Sequence, residues 1–274
     1  VWELSPASIL HVERPGVEKS RKYWTPDVEP DDTITYREAV ERVREALIQS
    51  VRLRLRADVP LAFCMSGGID SNALIGIAKK VLNYDVHGFT IVNTDARYEE
   101  QDLVEKSVSD LNIRHTSVPV RTDNFLSKLR TLVRQHDAPV YTITYYAHWL
   151  LMESVAEHGY RISISGTGAD ELFTGYYDHH NAYLYEVRHQ PELYQTSLEA
   201  WNAHIRPIVR NPILRNPRAF IEYPGQRGHI YLDAEGFSEY LKGKWTEPFT
   251  EAKYSKSLLK NLMLNELFHE IVPP

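Results

Sequence analysis

An α/β fold, built on a parallel sheet with helices on both faces and followed by a mostly helical lobe, is what this 274-residue sequence predicts. Three observations predict it. From residue 59 onward short apolar runs alternate with segments of helical period, the pattern of parallel strands joined by crossover helices. Two of those runs pass directly into glycine-bearing turns, as strands do where they hand the chain to a helix. Beyond Tyr185 the residues Pro191, Pro207, Pro212, Pro217 and Pro224 punctuate helical stretches.

Residues 1–32 carry Pro6, Pro15, Gly16, Pro26 and Pro30 with little periodicity, so they are expected to cross a surface as a lead-in and not to form a core element. Thr35 and Glu38 have capping-box spacing, and Val40, Val43, Leu47 and Val51 then recur at helical intervals. A helix is expected there to about residue 57, its arginine-rich end at 51–58 solvated and set near the negative pole. Strands are expected at 59–65, 86–92, 113–120 and 161–165, with helices at 72–82 and 99–111 and a long helical region at 123–159. In a parallel sheet, ligands sit at the carboxyl ends of the strands, and the chemistry is sought at that edge.

Composition narrows the function. With 43% hydrophobic and 25% charged residues the chain can bury a core as one large domain or two unequal ones. A net charge of −6 supplies no general attraction to nucleic acid or to anionic membrane, and no apolar run is long enough to span a bilayer. The single cysteine, Cys64, cannot form an internal disulfide, which fits a reducing, cytoplasmic setting. The sequence begins at Val1 without a methionine and stops at Pro273-Pro274 just after the apolar stretch 258–272, so it is expected to be a fragment, incomplete at the C-terminus.

Two loops carry the chemistry. Ser66-Gly67-Gly68-Ile69-Asp70-Ser71 joins the strand at 59–65 to the following helix. Its glycines let backbone N–H groups approach phosphate oxygens, its serines add hydroxyl donors, and the helix start adds partial positive charge. The spacing is neither that of a Walker loop nor that of a dinucleotide fingerprint. A plain Gly-Gly turn is the alternative. Asp70 says more, because a carboxylate beside phosphates is repulsive unless a cation such as Mg²⁺ lies between them. The second loop, Ser165-Gly166-Thr167-Gly168-Ala169-Asp170-Glu171, again follows a strand, and its Asp170 could share that ion with Asp70. The alternative for Asp170 and Glu171 is a pair of acids interacting with a helix dipole.

The first loop resembles the pyrophosphate-binding loop of N-type ATP pyrophosphatases. Ser165-Gly166-Thr167-Gly168-Ala169-Asp170-Glu171-Leu172-Phe173-Thr174-Gly175-Tyr176 resembles the second signature of asparagine synthetases. Leu4-Ser5-Pro6 and Tyr23-Trp24 are similar to that family's domain junction, and the likeness runs through about Asp178. It implies an adenine nucleotide alpha hydrolase-like (PP-loop) fold. It divides the chain into a lead-in at 1–32 from an absent N-terminal glutaminase domain, an ATP-binding synthetase domain at 33–185 and a helical lobe at 186–274. Ser66, Gly67, Gly68, Asp70 and Ser71 would hold the pyrophosphate of ATP, and Asp70 and Asp170 would bind Mg²⁺. Cys64, Met65 and Ile91 would line the adenine pocket, with Ser165 and Gly166 at the ribose and α-phosphate. Cys64 is then a packing residue and not a nucleophile.

The implied reaction activates a small-molecule carboxylate, aspartate by family default, as its adenylate with loss of pyrophosphate. Glutamine-derived ammonia then displaces AMP. The glutaminase would sit in the same longer chain or in a separate subunit; the oligomeric state is open, a homodimer included. Thr167 departs from the pattern, since the family carries a glutamate there that is associated with amination. Glu171 and Asp178 are candidate replacements. A different acceptor explains the change equally well, and the alternative substrate is a sugar uronic acid converted to its uronamide in surface-polysaccharide synthesis. Relatives that close β-lactam rings rank third. The non-enzyme alternative is a nucleotide-binding module without turnover. Two further groups have plainer readings: Asp178-His179-His180 is not expected to hold a metal, and Tyr141, Tyr145, Tyr146 and Trp149 are expected to pack in a core or interface.

Overall fold

The structure, a computed structural model, describes residues 4–26, 31, 33–92, 100–137, 140, 142–227, 239–240, 242–243 and 251–268. One unit consists of Asp32–Gly166, and a second joins Val1–Asp31 to Thr167–Pro274.

The N-terminal stretch departs from expectation. Strands β1 (Ser8–Arg14) and β2 (Val17–Lys22) pair as an antiparallel hairpin with an irregularity between Val12 and Arg14. Pro15-Gly16 makes the turn, with Gly16 at φ +79°, where only glycine sits without strain. The pair hides little of either face, so Ile9, Leu10 and Val12 stay exposed. The stretch is therefore an exposed hairpin, and its lack of a buried face is why no alternation marked it.

In the unit Asp32–Gly166, helix α1 (Tyr36–Arg54) opens with the expected capping box: Glu38 N–H donates to Thr35 Oγ1 at 3.2 Å and Thr35 N–H to Glu38 Oε2 at 2.8 Å. It ends slightly before the expected boundary, and only part of its apolar stripe is used: Val51 is buried, while Val40 and Val43 are exposed. There follow β3 (Leu61–Cys64), α2 (Ile69–Gly76) with a π-helical turn at Ile77–Val81, β4 (His87–Val92), α3 (Gln101–Leu111) and β5 (Arg114–Pro119). The helical region expected at 123–159 is two helices, α4 (Phe125–His136) and α5 (Thr144–Glu157). The first stops where Asp137 turns to a left-handed φ of +52°. Strand β6 (Ile162–Ile164) closes the unit.

All pairings in this sheet are parallel and the strand order is β5-β4-β3-β6. The chain steps from β3 outward through β4 to β5 and then returns to the opposite side of β3, which makes β3 a topological switch point. Such points are where open α/β sheets bind ligands. Successive residues of β3 enter different cores. Ala62 joins Phe89, Val118, Leu132, Leu150 and Leu151 beneath α4 and α5. Phe63 joins Met65, Val51, Ile75, Val86 and Val104 beneath α1, α2 and α3. Both faces are therefore covered, as the continuous apolar runs demand. Each large side chain so enclosed, such as Phe89, contributes about 2 kcal/mol.

The other unit is helical beyond its hairpin: α6 (Ala169–Phe173), α7 (Tyr177–Val187), α8 (Pro191–Ala200) continued by a π-helical turn at Trp201–Ile205, α9 (Ala219–Glu222) and α10 (Leu258–Glu266). Its core joins Ala182 of α7, Phe220 of α9 and Leu262 of α10. Asn181 donates from Nδ2 to the carbonyls of Leu214 and Asn216, at 3.0 and 3.1 Å, tying α7 to the irregular chain before α9. Trp24, after the hairpin, meets the ring of Phe268. No helix among the described residues is long and apolar enough to cross a membrane.

Candidate active site

The turn after β3 is held from inside its own helix. Gly68 is the N-cap, so α2 begins at Ile69 and Asp70 and Ser71 belong to its first turn instead of to the loop. Asn72 Nδ2 donates to the carbonyls of Ser66 and Gly68, at 2.9 and 2.7 Å. Ser71 Oγ accepts from Ser66 N–H at 3.2 Å and lies 3.0 Å from Ser66 Oγ, which in turn accepts from Gly68 N–H at 3.2 Å. In a trans peptide the C=O and the next N–H point in opposite directions. Drawing the carbonyls of Ser66 and Gly68 toward α2 therefore turns the amides of Gly67 and Ile69 outward. Gly67 N–H meets an anionic oxygen there, donating to Glu100 Oε2 at 2.8 Å.

The strand ends next to this turn are laced together. Met65 N–H donates to the Phe89 carbonyl and Thr90 Oγ1 to the Met65 carbonyl, both at 2.8 Å. Cys64 and Ile91 pack beside the Ala62 core, whereas the Met65 side chain enters the Phe63 core. Of the three residues assigned to an adenine pocket, the structure brings Cys64 and Ile91 to one face and sends the Met65 side chain to the other. Burial pushes the Cys64 thiol up, against a hydrogen bond with Ser163, as suits a packing residue.

The second loop leaves β6, the neighbour of β3. Gly166 lies against the start of α2: a methyl group there would stand 3.0 Å from Asp70 Cβ and 3.0 Å from the Ser71 amide nitrogen. The two glycine turns thus meet at the carboxyl edge of adjacent strands. Ser165 and Thr167 are exposed and Asp70 is half-buried.

In the other unit, Gly168 at φ +90° caps α6, which carries Asp170 and Glu171 in its first turn. Asp170 is packed over Gly175, where a Cβ would fall 1.7 Å from Asp170 Oδ1. The aspartate can hold this position only because residue 175 has no side chain. Glu171, a catalytic candidate by sequence, is 2% exposed, and its Oε1 accepts from Tyr176 O–H at 2.6 Å. Burial and the Glu171 carboxylate push the Tyr176 phenol up, so it remains a donor.

Asp178, the other candidate replacement for glutamate, is also buried and accepts the N–H of His179 at 3.0 Å. Fully buried His179 pairs through Nε2 with Glu266 Oε2 of α10 at 2.6 Å. Ligand-type atoms of Asp178, His179 and Glu266 all lie within 4.8 Å of one another, so a carboxylate distant in sequence completes a group that adjacent residues lacked. Burial alone would lower the His179 pKa, but the Glu266 hydrogen bond and charge outweigh it and hold the ring above the ordinary range. Nδ1 accepts a long 3.4 Å contact from Tyr176 N–H, which protonation of the ring gives up. With its ring protonated, His179 forms an ion pair with Glu266. His180, with burial dominant, is shifted the other way.

The aromatic group is core: Tyr146 is buried with its O–H donating to the Arg121 carbonyl at 2.9 Å, and Tyr145 and Trp149 pack beside it. Tyr141 lies outside the described residues. Reasoning from sequence missed Asn72, which sets the turn, and Glu100, Gly175 and Glu266. The run Asp-Glu-Leu-Phe-Thr-Gly-Tyr held a signal for Gly175, since a glycine five residues after an acid can receive it at the end of one helical turn. Glu100 and Glu266 sit too far along the chain from Gly67 and His179 to be read from spacing.

A switch-point strand opening onto a glycine turn, with a second glycine turn beside it from the next strand, is the ligand-binding edge of an open parallel α/β sheet. The chain belongs to the asparagine synthase family, whose model matches residues 42–263. It is 26% identical over 176 residues to the glutamine-hydrolyzing asparagine synthetase 1 of Bacillus subtilis, covering 64% of this chain and 27% of that protein. To amidase chyE of Penicillium rubens it is 27% identical over 183 residues, covering 60% and 27%. To amidase chry2 of Gibberella zeae it is 25% identical over 221 residues, covering 74% and 33%. The chain thus spans about a quarter to a third of the length of these relatives. Among solved structures, the NH3-dependent NAD synthetase of Campylobacter jejuni is 18% identical, with 53% of this chain and 62% of that one covered and a TM-score of 0.33.

Proposed function

We propose that this chain is the ATP-using part of an enzyme that joins nitrogen to a carboxylate, releasing pyrophosphate and then AMP. The observation that carries the reading is the packing of Gly166 on Asp70 at the switch point, which puts a metal-type carboxylate beside an outward-facing amide turn. That turn suits phosphate: Gly67 N–H already holds an anionic oxygen.

In this reading the Gly67 and Ile69 amides and the start of α2 receive the pyrophosphate end of ATP, and Ser66 and Ser71 keep the turn in shape. Asp70 and Asp170 are the carboxylates that would hold Mg²⁺, which when bound offsets the charge on the phosphates. Ser165 and Gly166 border the ribose and α-phosphate, and Cys64 and Ile91 border the base. Glu171, closed off by Tyr176, positions α6 and takes no proton from substrate. Aspartate is the first acceptor, and Thr167, which has no carboxylate to offer as a base, keeps a sugar uronate as the second reading. Ammonia would come from glutamine through a glutaminase domain of the longer protein or a separate subunit.

The test is ATP–pyrophosphate exchange by the full-length protein, with aspartate or a nucleotide-linked uronic acid as acceptor. Exchange that depends on one of them identifies the substrate, and its loss in Asp70→Asn with an unchanged melting curve supports the metal role. ATP binding without exchange for any carboxylate would sink the ligase reading in favour of a silent nucleotide-binding module.

A further inference from the structure

The amide that faces outward at the turn is already engaged. Gly67 N–H donates to Glu100 Oε2 at 2.8 Å, and Glu100 is the exposed N-cap residue of α3, brought from 33 positions away. Glycine makes the approach feasible: a Cβ at 67 would stand 3.0 Å from Glu100 Cβ and 3.1 Å from Leu103 Cδ1. A carboxylate oxygen and a phosphate oxygen ask the same of an N–H, a short and nearly linear charge-assisted bond. One N–H cannot give both.

Building on the nucleotide reading above, we propose that Glu100 is an intramolecular competitor for phosphate. Its carboxylate occupies the Gly67 amide in the resting protein and must leave before the pyrophosphate end of ATP can settle there. Two features of the turn argue for a competitor over a brace. The conformation is already fixed from the other side by Asn72 on the Ser66 and Gly68 carbonyls and by Ser71 on the Ser66 amide, so Glu100 adds occupancy and not shape. Glu100 is also exposed, so its side chain can swing into water with little loss of hydration. Held in place, it would repel the arriving triphosphate at hydrogen-bond range. The competitor lowers affinity for pyrophosphate as well as for ATP, and so eases release of the first product.

Calorimetry on the full-length wild type, Glu100→Gln and Glu100→Ala, titrated separately with magnesium pyrophosphate and magnesium ATP, tests this. Both variants should bind both probes about three- to tenfold more tightly, the alanine variant at least as strongly as the glutamine one, with unchanged melting temperatures. The Gly67 amide resonance should shift upfield in Glu100→Ala as the anionic acceptor is lost. Equal or weaker binding in the variants, or a Gly67 resonance that does not move, overturns the competitor and leaves the nucleotide reading standing if the wild type binds. Failure of all three proteins to bind either probe removes both.

Discussion

Gly166 and Asp70 pack so closely that a methyl group at residue 166 would stand 3.0 Å from Asp70 Cβ, tighter than ordinary side-chain contact. The turn after β6 therefore approaches the start of α2 this closely because residue 166 is glycine. Gly166→Ala must push Asp70 and the Ser71 amide outward by several tenths of an ångström. Pyrophosphate exchange should fall about tenfold or more while the melting temperature moves by only a few degrees, since the sheet below is untouched. Exchange within twofold of wild type would show that the contact has no functional weight.

Gly175 makes the same kind of demand on Asp170, more severely. A Cβ there would overlap the carboxylate itself, so Gly175→Ala should cost exchange about a hundredfold and raise the magnesium concentration needed for half-maximal rate. A magnesium titration on the variant separates displacement of a metal carboxylate from general unfolding, which would lower the rate at every magnesium concentration alike.

Asn72 is predicted to matter through geometry. Asn72→Ala removes two hydrogen bonds to exposed turn carbonyls, about 0.5 kcal/mol each, and frees the Ser66 and Gly68 peptides to rotate. Denaturant melts should report about 1 kcal/mol, with pyrophosphate bound more weakly. Unchanged binding in a destabilised variant would confine Asn72 to a structural role.

The His179–Glu266 pair gives the second unit a pH dependence. Because the folded His179 pKa is raised, its stabilisation is fully present below the ordinary histidine value of about 6.5 and is lost as pH rises through the folded value. Glu266→Gln should lower stability by about 2 kcal/mol at the acid end of that window and flatten the slope above it. Thermal melts from pH 5.5 to 9 check it, and a parallel downward shift of the whole curve would count against the pair.

Cys64 should be slow to alkylate in the folded protein and fast after denaturation, since burial keeps it a thiol. Cys64→Ala should keep most of the exchange activity. Rapid labelling of the native protein that abolishes exchange would assign the thiol a larger part.

The parallel sheet was legible because strands covered on both faces have to be apolar at every position, and Leu61-Ala62-Phe63 announces that without any periodicity. The two glycine turns were legible because each needs a residue type that nothing else supplies. The hairpin at Ser8–Arg14 and Val17–Lys22 was not, since a two-stranded ribbon exposed on both faces imposes no alternation. Half of the α1 stripe was misleading: Val40 and Val43 have helical spacing but no burial. Glu100 and Glu266 were hidden for a different reason. Each is an ordinary surface-type acid whose meaning comes from a partner that only the fold brings near.

The two units place different demands on a growing polypeptide. Every strand of the four-stranded sheet lies between Leu61 and Ile164, so that sheet can be finished while the rest of the chain is still on the ribosome. The hairpin precedes the sheet in the chain yet shares its unit with Thr167–Pro274 and must wait for those residues to be synthesised. Completing the unit still leaves Ile9, Leu10 and Val12 exposed, so the hairpin carries the same apolar side chains in the open before and after that wait.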